Sequence, residues 1–217
     1  MAVERVARVA AIVDHAPDTR SLLLTLAEPL TFRPGQFLSC LLPVGAERII
    51  RPYSIASDPE QPRELEVLLD RVPGGPGSSH LFGLRPGDAL CFTGPWGTFT
   101  LDEAPPAETI FIAEGSGIAP VRPMIRRAVR TARHPLRLLY GTRLGIYREE
   151  LEALPGVHVD VVPPERLPNE VLRRCVDADV NRSRHFFICG VGAIVHTLRD
   201  RLRGAGYARR AVQYEKW

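Results

Sequence analysis

RPYSIASD, residues 51–58, sets a guanidinium, an aromatic ring and two hydroxyls along one extended stretch. In a strand, alternation puts Arg51, Tyr53 and Ile55 on one face and Ser54 and Ala56 on the other. Such a strand suits a ligand carrying both a phosphate and a flat ring, with Arg51 on the phosphate and Tyr53 against the ring. Downstream, PGGPGSSHLF is a glycine-rich turn that runs into a helix. Helix starts offer free N–H groups to a phosphate, with Ser78 and Ser79 as hydroxyl donors. Either stretch alone also describes an ordinary surface turn.

The second half carries a different chemistry. In IFIAEGSGIAP an apolar strand runs into Gly115, Ser116 and Gly117 and then into a helix with Pro120 in its first turn. Glycines let the backbone approach a ligand, and the helix start suits a pyrophosphate. The stretch is not the dinucleotide fingerprint G-x-G-x-x-G, because Pro120 stands at the third glycine. Two later strands end in YGTR and FFICGVG, so three strands present small residues at their carboxyl ends, the edge where open parallel sheets bind ligands. Cys189 in the last of them is either a buried structural thiol or a residue held beside a reacting atom. The chain ends AVQYEKW, and Trp217 either caps the core of its domain or covers a ligand.

The elements that must position these residues fall into two sets. Before LDEAPPAE, the stretches RVARVAAIV, RSLLLTLA, GQFLSCLLP, RPYSIAS, ELEVLLDRV and DALCFTG read as six strands spaced as in an antiparallel barrel, with a short helix at SSHLFGL. After it, strands and helices alternate, which builds a parallel sheet. The expected fold is therefore two domains: an antiparallel β-barrel over residues 1–103 and an α/β parallel-sheet unit over residues 104–217. Two phosphate-suited stretches in one barrel point to a flavin nucleotide.

Composition bounds the rest. Residues 1–103 hold 9 basic and 13 acidic side chains, net −4, and residues 104–217 hold 19 and 12, net +7. Lys216 is the single lysine. The basic second half suits anionic ligands or an acidic partner, as well as a plain solvated surface, and shows no aromatic interleaving of the kind that binds nucleic acid. Cys40, Cys91, Cys175 and Cys189 are too scattered for a metal site or an iron–sulfur cluster, and no disulfide framework is expected. No apolar run reaches the length of a membrane span, and MAVERVARVAAIVDHAPD is unlike a secretory leader, so the expected location is cytoplasmic.

With these motifs in this order, the chain resembles the plant-type ferredoxin–NADP reductase superfamily, in which a flavin-binding barrel precedes a NAD(P)-binding domain. RPYS looks like the family's flavin motif, GPGSSHL its flavin-phosphate loop, LRPGDALCFTGPWGTFTL the end of its barrel, and GSGIAP, YGTR and CGVG its nicotinamide-nucleotide contacts. The resemblance implies that Arg51, Pro52, Tyr53, Ser54, Gly77, Ser78 and Ser79 bind flavin, with Ser54 near its reactive nitrogen. It implies that Gly115, Ser116, Gly117, Pro120, Thr142, Arg143, Cys189 and Gly190 contact NAD(P). It further implies a terminal aromatic, Trp217, stacked over the flavin two positions after Glu215. Ser54, Cys189 and Glu215 would then be the catalytic set, with FAD as cofactor.

The implied activity is hydride transfer from NAD(P)H to FAD, followed by release of electrons to a separate acidic carrier such as ferredoxin or flavodoxin. Alternatives are a flavin reductase, an oxygenase reductase component, or an electron-transfer subunit or redox sensor of a larger complex. Thr142, Arg143 and Arg166 lean the nucleotide toward NADPH, with NAD possible. The chain departs from the family twice: CGVG lacks the proline of the family's Cys-Gly-Pro loop, and Glu114 stands just before the glycine turn, where a carboxylate repels phosphate unless it points away.

Overall fold

A computed structural model describes residues 3–217, which divide at Thr100/Leu101 into two compact units. The first contains β1 (Arg5–Ala16), β2 (Thr19–Leu26), β3 (Phe37–Val44), β4 (Glu47–Ser54), β5 (Glu64–Asp70), α1 (Pro76–Gly83) and β6 (Ala89–Trp96). Its strands form one antiparallel sheet in the order β4-β3-β6-β1-β2-β5. The two ends of the sheet meet where Ile55 bridges Val67 and the Ala56 N–H donates to Glu66 O at 2.8 Å. Closure of this kind leaves fewer exposed edges and encloses a core of Leu22, Leu24, Leu38, Leu42 and Phe92. Each such side chain contributes roughly 2 kcal/mol by leaving water.

Two local expectations change. β4 ends at Ser54, and Ser54, Ile55 and Ala56 are all buried, so the expected split of Ile55 from Ser54 and Ala56 onto opposite faces does not show in their burial. The chain there leaves β3 and turns inward to bridge β5. The short helix starts at Pro76, two residues earlier than SSHLFGL suggests, since the fixed φ of proline suits the first helical position. Ser78 and Ser79 consequently lie inside the helix.

The second unit alternates strand and helix: β7 (Thr109–Glu114), α2 (Ile118–Thr131), β8 (Leu136–Gly141), α3 (Arg148–Glu152), β9 (Val157–Val162), α4 (Leu167–Val171), β10 (His185–Gly190), α5 (Ile194–Gly204) and β11 (Val212–Lys216). The five strands are parallel in the order β11-β10-β7-β8-β9, so the winding reverses between β7 and β10. Ligands of open parallel sheets sit at the carboxyl edge of such a reversal. In α2, Ile118, Val121, Ile125 and Ala128 recur at helical spacing and are buried. Arg122 fastens the β8–α3 segment to α2 by pairing with Glu150 at 2.7 Å while lying 4.2 Å from the centre of the Tyr147 ring.

Among the described residues, no helix is long and apolar enough to cross a membrane, and no group of three or more His, Cys, Asp or Glu is placed to hold a metal ion. The four cysteines are free thiols.

Candidate functional site

In the first unit, β4 and α1 bring the two phosphate-suited stretches together. A Cβ on Gly77 would stand 3.0 Å from Arg51 Cγ and 3.3 Å from Leu42 Cδ1, so glycine is what lets the arginine stem lie across the first turn of α1. The Arg51 guanidinium donates to Ile50 O at 2.8 Å and is otherwise exposed, with donors left for an anion. The helix is capped by Gly75 without a side-chain hydrogen bond, and Ser79 N–H is the first to reach back, to Gly75 O at 3.0 Å. Arg51 and the first turn of α1 thus form one cationic cradle.

The Ser78 hydroxyl has another task. Its Oγ accepts the Val72 N–H at 3.0 Å and lies 3.2 Å from Gly75 O, so the buried side chain shapes the turn before the helix. The Ser79 side chain is exposed.

Toward the end of β4, Tyr53 is half-buried and its phenol pKa is pushed up to about 12, chiefly by burial, with Cys40 adding and Arg51 opposing. It stays a neutral hydroxyl on an aromatic face. Pro52 beside it is exposed. Ser54 is 5% exposed and its Oγ has no hydrogen-bond partner in the protein. A buried hydroxyl left so costs about 1–3 kcal/mol, and a ligand that hydrogen-bonds it removes that cost. A cationic cradle, an aromatic face and an orphaned hydroxyl on one strand fit a flavin nucleotide.

In the second unit, the glycine turn Gly115–Gly117 is one 3₁₀ turn leading directly into α2. A Cβ on Gly117 would meet Cys189 O at 2.5 Å, so this turn packs backbone against the end of β10. Pro120 is buried in the first turn of the helix. The fully buried Tyr140, at the end of β8, donates its hydroxyl to Gly115 O at 3.2 Å and anchors the turn from below. Sequence reading missed Tyr140; the available signal was one tyrosine in the apolar strand LRLLYG.

Cys189 lies level with Ala113 on β7 and Glu215 on β11. Burial pushes its thiol well up, reinforced by the charge of Glu215 and opposed by the Gly190 backbone. It remains protonated, so its contribution is shape rather than nucleophilic attack. Glu215 Oε2 is buried without a hydrogen-bond partner, and burial lifts the Glu215 pKa to about 7. Trp217 is half-buried and its backbone N–H donates to Gly190 O at 3.2 Å. Cys189, Gly190, Glu215 and Trp217 therefore form one cluster beside the glycine turn.

The loops after β8 and β9 carry the remaining candidates. Thr142 Oγ1 accepts the N–H groups of Leu144 and Gly145, each at 3.1 Å, and holds that turn. Arg143 is exposed and pairs with Glu165 at 3.2 Å, and Arg166 is exposed on the next loop. Both arginines are available to a solvent-borne phosphate.

Comparison with known proteins agrees with this geometry. Residues 7–101 match the family described as oxidoreductase FAD-binding domain. A ferredoxin–NADP reductase B of Sorangium cellulosum is 33% identical over 97% of this chain and 96% of its own length. The aromatic O-demethylase reductase subunit of an Amycolatopsis species is 39% identical over 69% of the chain, which spans 48% of that longer protein. A ferredoxin NADP+ reductase structure from Neisseria gonorrhoeae, solved with bound FAD and NADP, superposes with a TM-score of 0.83 over 100% of this chain and 99% of that one; at 22% identity this likeness speaks for the fold. From an antiparallel FAD-binding unit, a parallel α/β unit and an end-to-end relative, the chain belongs to the ferredoxin–NADP reductase family of flavin oxidoreductases.

Proposed function

We propose that the chain takes a hydride from NADPH onto bound FAD and delivers the electrons to a separate acidic carrier of the ferredoxin or flavodoxin kind. The observation that carries this reading is Ser54, a buried hydroxyl with no partner in the protein at the end of the strand that bears Arg51 and Tyr53. FAD, when bound, accepts electrons in pairs and releases them singly, and the protein supplies binding, orientation and electrostatics. Residues 1–103 hold the flavin: Arg51, with the backbone of Gly77 and Ser78 at the start of α1, neutralises its phosphate, Tyr53 and Pro52 flank the ring, and Ser54 gives it a hydrogen bond. Ser78 acts through the turn that its hydroxyl shapes, and Ser79 lies at the rim of the cradle.

Residues 104–217 hold the nucleotide. Gly115, Ser116, Gly117 and Pro120 receive its pyrophosphate, and Thr142 shapes the loop from which Arg143, with Arg166, meets the 2′-phosphate. Cys189 and Gly190 border the nicotinamide, and Glu215 holds a proton near neutral pH. Trp217 lies beside Cys189, so it must move aside for the nicotinamide, and that it otherwise covers the flavin ring is what the family resemblance implies. Deleting Trp217 is expected to loosen flavin and tighten NADP+, each by several-fold, since aromatic stacking is worth about 1 kcal/mol. Unchanged affinities in a titration of both ligands would make Trp217 a core cap instead.

A second acceptor class, an oxygenase, is favoured by the 39% identity to an O-demethylase reductase subunit. The deciding experiment is the visible spectrum of the purified protein, followed by anaerobic NADPH and then an acidic ferredoxin or an oxygenase component. Near-stoichiometric flavin that NADPH bleaches and the carrier recolours is expected. A colourless protein that reduces added flavin would make it a flavin reductase, and a flavin-loaded but unreactive one would make it a sensor or subunit.

A further inference from the structure

The two places where the sequence leaves its family's pattern touch each other. Glu114, the last residue of β7, directs Oε2 at the backbone N–H of Val191 at 3.3 Å. A proline at position 191 would have no N–H to give, so the carboxylate and the valine amide are two halves of one contact. The surroundings are built to admit it: a Cβ on Gly190 would stand 2.9 Å from Glu114 Cβ and 3.2 Å from Oε2. Burial raises the pKa of Glu114 and the Val191 N–H lowers it, so the carboxyl is engaged with the loop rather than free in solvent. The loop it holds is otherwise open, with Val191 50% exposed and Gly192 at φ 71°.

We infer that Glu114 is a positioning residue that pins the Cys189–Gly192 loop against the glycine turn, doing through a hydrogen bond what a proline ring would do through covalent stiffness. This rests on the nicotinamide reading of that loop. The carboxylate sits there because it closes a latch between the ends of β7 and β10, and its turn toward Val191 removes it from the phosphate path. Hydride transfer needs reacting atoms held close and aligned, so a loosened loop slows the transfer step more than it weakens nucleotide binding.

The test uses the full, flavin-loaded chain with Glu114→Gln, Glu114→Ala, and Glu114→Ala combined with Val191→Pro. Glutamine keeps an acceptor oxygen without the charge, alanine removes both, and the proline restores stiffness by another route. Hydrogen exchange over residues 189–193 is read without nucleotide, and kcat and KM for NADPH are read separately. Exchange at Val191 is expected to rise several-fold in Glu114→Ala but not in Glu114→Gln, the effect of losing the side-chain acceptor on this half-exposed N–H. In Glu114→Ala, kcat is expected to fall several-fold with KM changed less, and both Glu114→Gln and the added proline should restore kcat. Equal exchange and equal kcat in the alanine and glutamine variants would overturn the inference, as would a folded double variant that stays slow. A wild-type chain that NADPH does not reduce, with the exchange difference intact, would instead overturn the nicotinamide reading and leave the latch standing.

Discussion

At the scale of single residues, the informative groups are polar atoms buried without protein partners. Ser54 Oγ and Glu215 Oε2 are both of this kind, and each is a cost to the folded chain that a ligand can offset. Replacing Ser54 by alanine is expected to stabilise the flavin-free protein by about 1 kcal/mol in urea denaturation, because an unsatisfied hydroxyl is removed. The same change should slow flavin reduction by about ten-fold or more, since a donor aimed at developing charge is lost. A variant that is less stable yet equally fast would return Ser54 to a packing role.

Glu215 gives a pH signature whose sign follows from burial. Its carboxyl pKa rises from 4.5 in the unfolded chain to about 7 in the folded one, so the folded state holds the proton more tightly. Stability from this group is present below pH 4.5, is lost as pH climbs from there through about 7, and is flat above. Glu215→Gln should therefore raise the melting temperature at pH 8 and leave it nearly unchanged at pH 4.5. An equal shift at both pH values would show that packing, not ionisation, is responsible.

At the scale of elements, the site depends on where backbone segments are allowed to touch. α1 starts at Pro76 and presents Gly77 to the stem of Arg51, so helix and strand act as one anion site. Gly77→Val places new carbon where Arg51 Cγ now lies and must swing the guanidinium away. Flavin affinity is then expected to fall about ten-fold, the scale of one charge-assisted hydrogen bond, with the barrel still folded. Isothermal titration of the flavin-free variant measures it, and Arg51→Ala should add little on top because both changes remove one interaction. Full additivity would mean that the two residues act separately.

At the scale of the molecule, charge is divided between the two halves, −4 over residues 1–103 and +7 over residues 104–217. Arg130, Arg133, Arg201, Arg209 and Arg210 are exposed on the second unit, a charge that suits the acidic carrier proposed above. Screening shortens the reach of such charges to about 8 Å at physiological salt. The second-order rate of electron delivery to an acidic ferredoxin is thus expected to fall on the order of ten-fold from low to physiological ionic strength, as steered encounters do. Stopped-flow mixing at a series of salt concentrations checks this, and a rate that ignores salt would point to an uncharged acceptor or to free flavin.

The sequence by itself determined the large features, because periodicity and glycine placement are local. Short apolar stretches at barrel spacing marked the six strands of the first sheet, the β–α rhythm marked the five of the second, and RPYS, GSGIAP and CGVG marked the strand ends where chemistry gathers. Other features depend on residues far apart in the chain, and these only the tertiary structure decided. It turned the Ser78 hydroxyl into its own turn, set Tyr140 under Gly115 across 25 positions, and joined Glu114 to Val191 across 77. A hydrogen bond needs its partners within about 3 Å, and no pattern of residue types in the chain encodes which distant N–H the fold will bring that close.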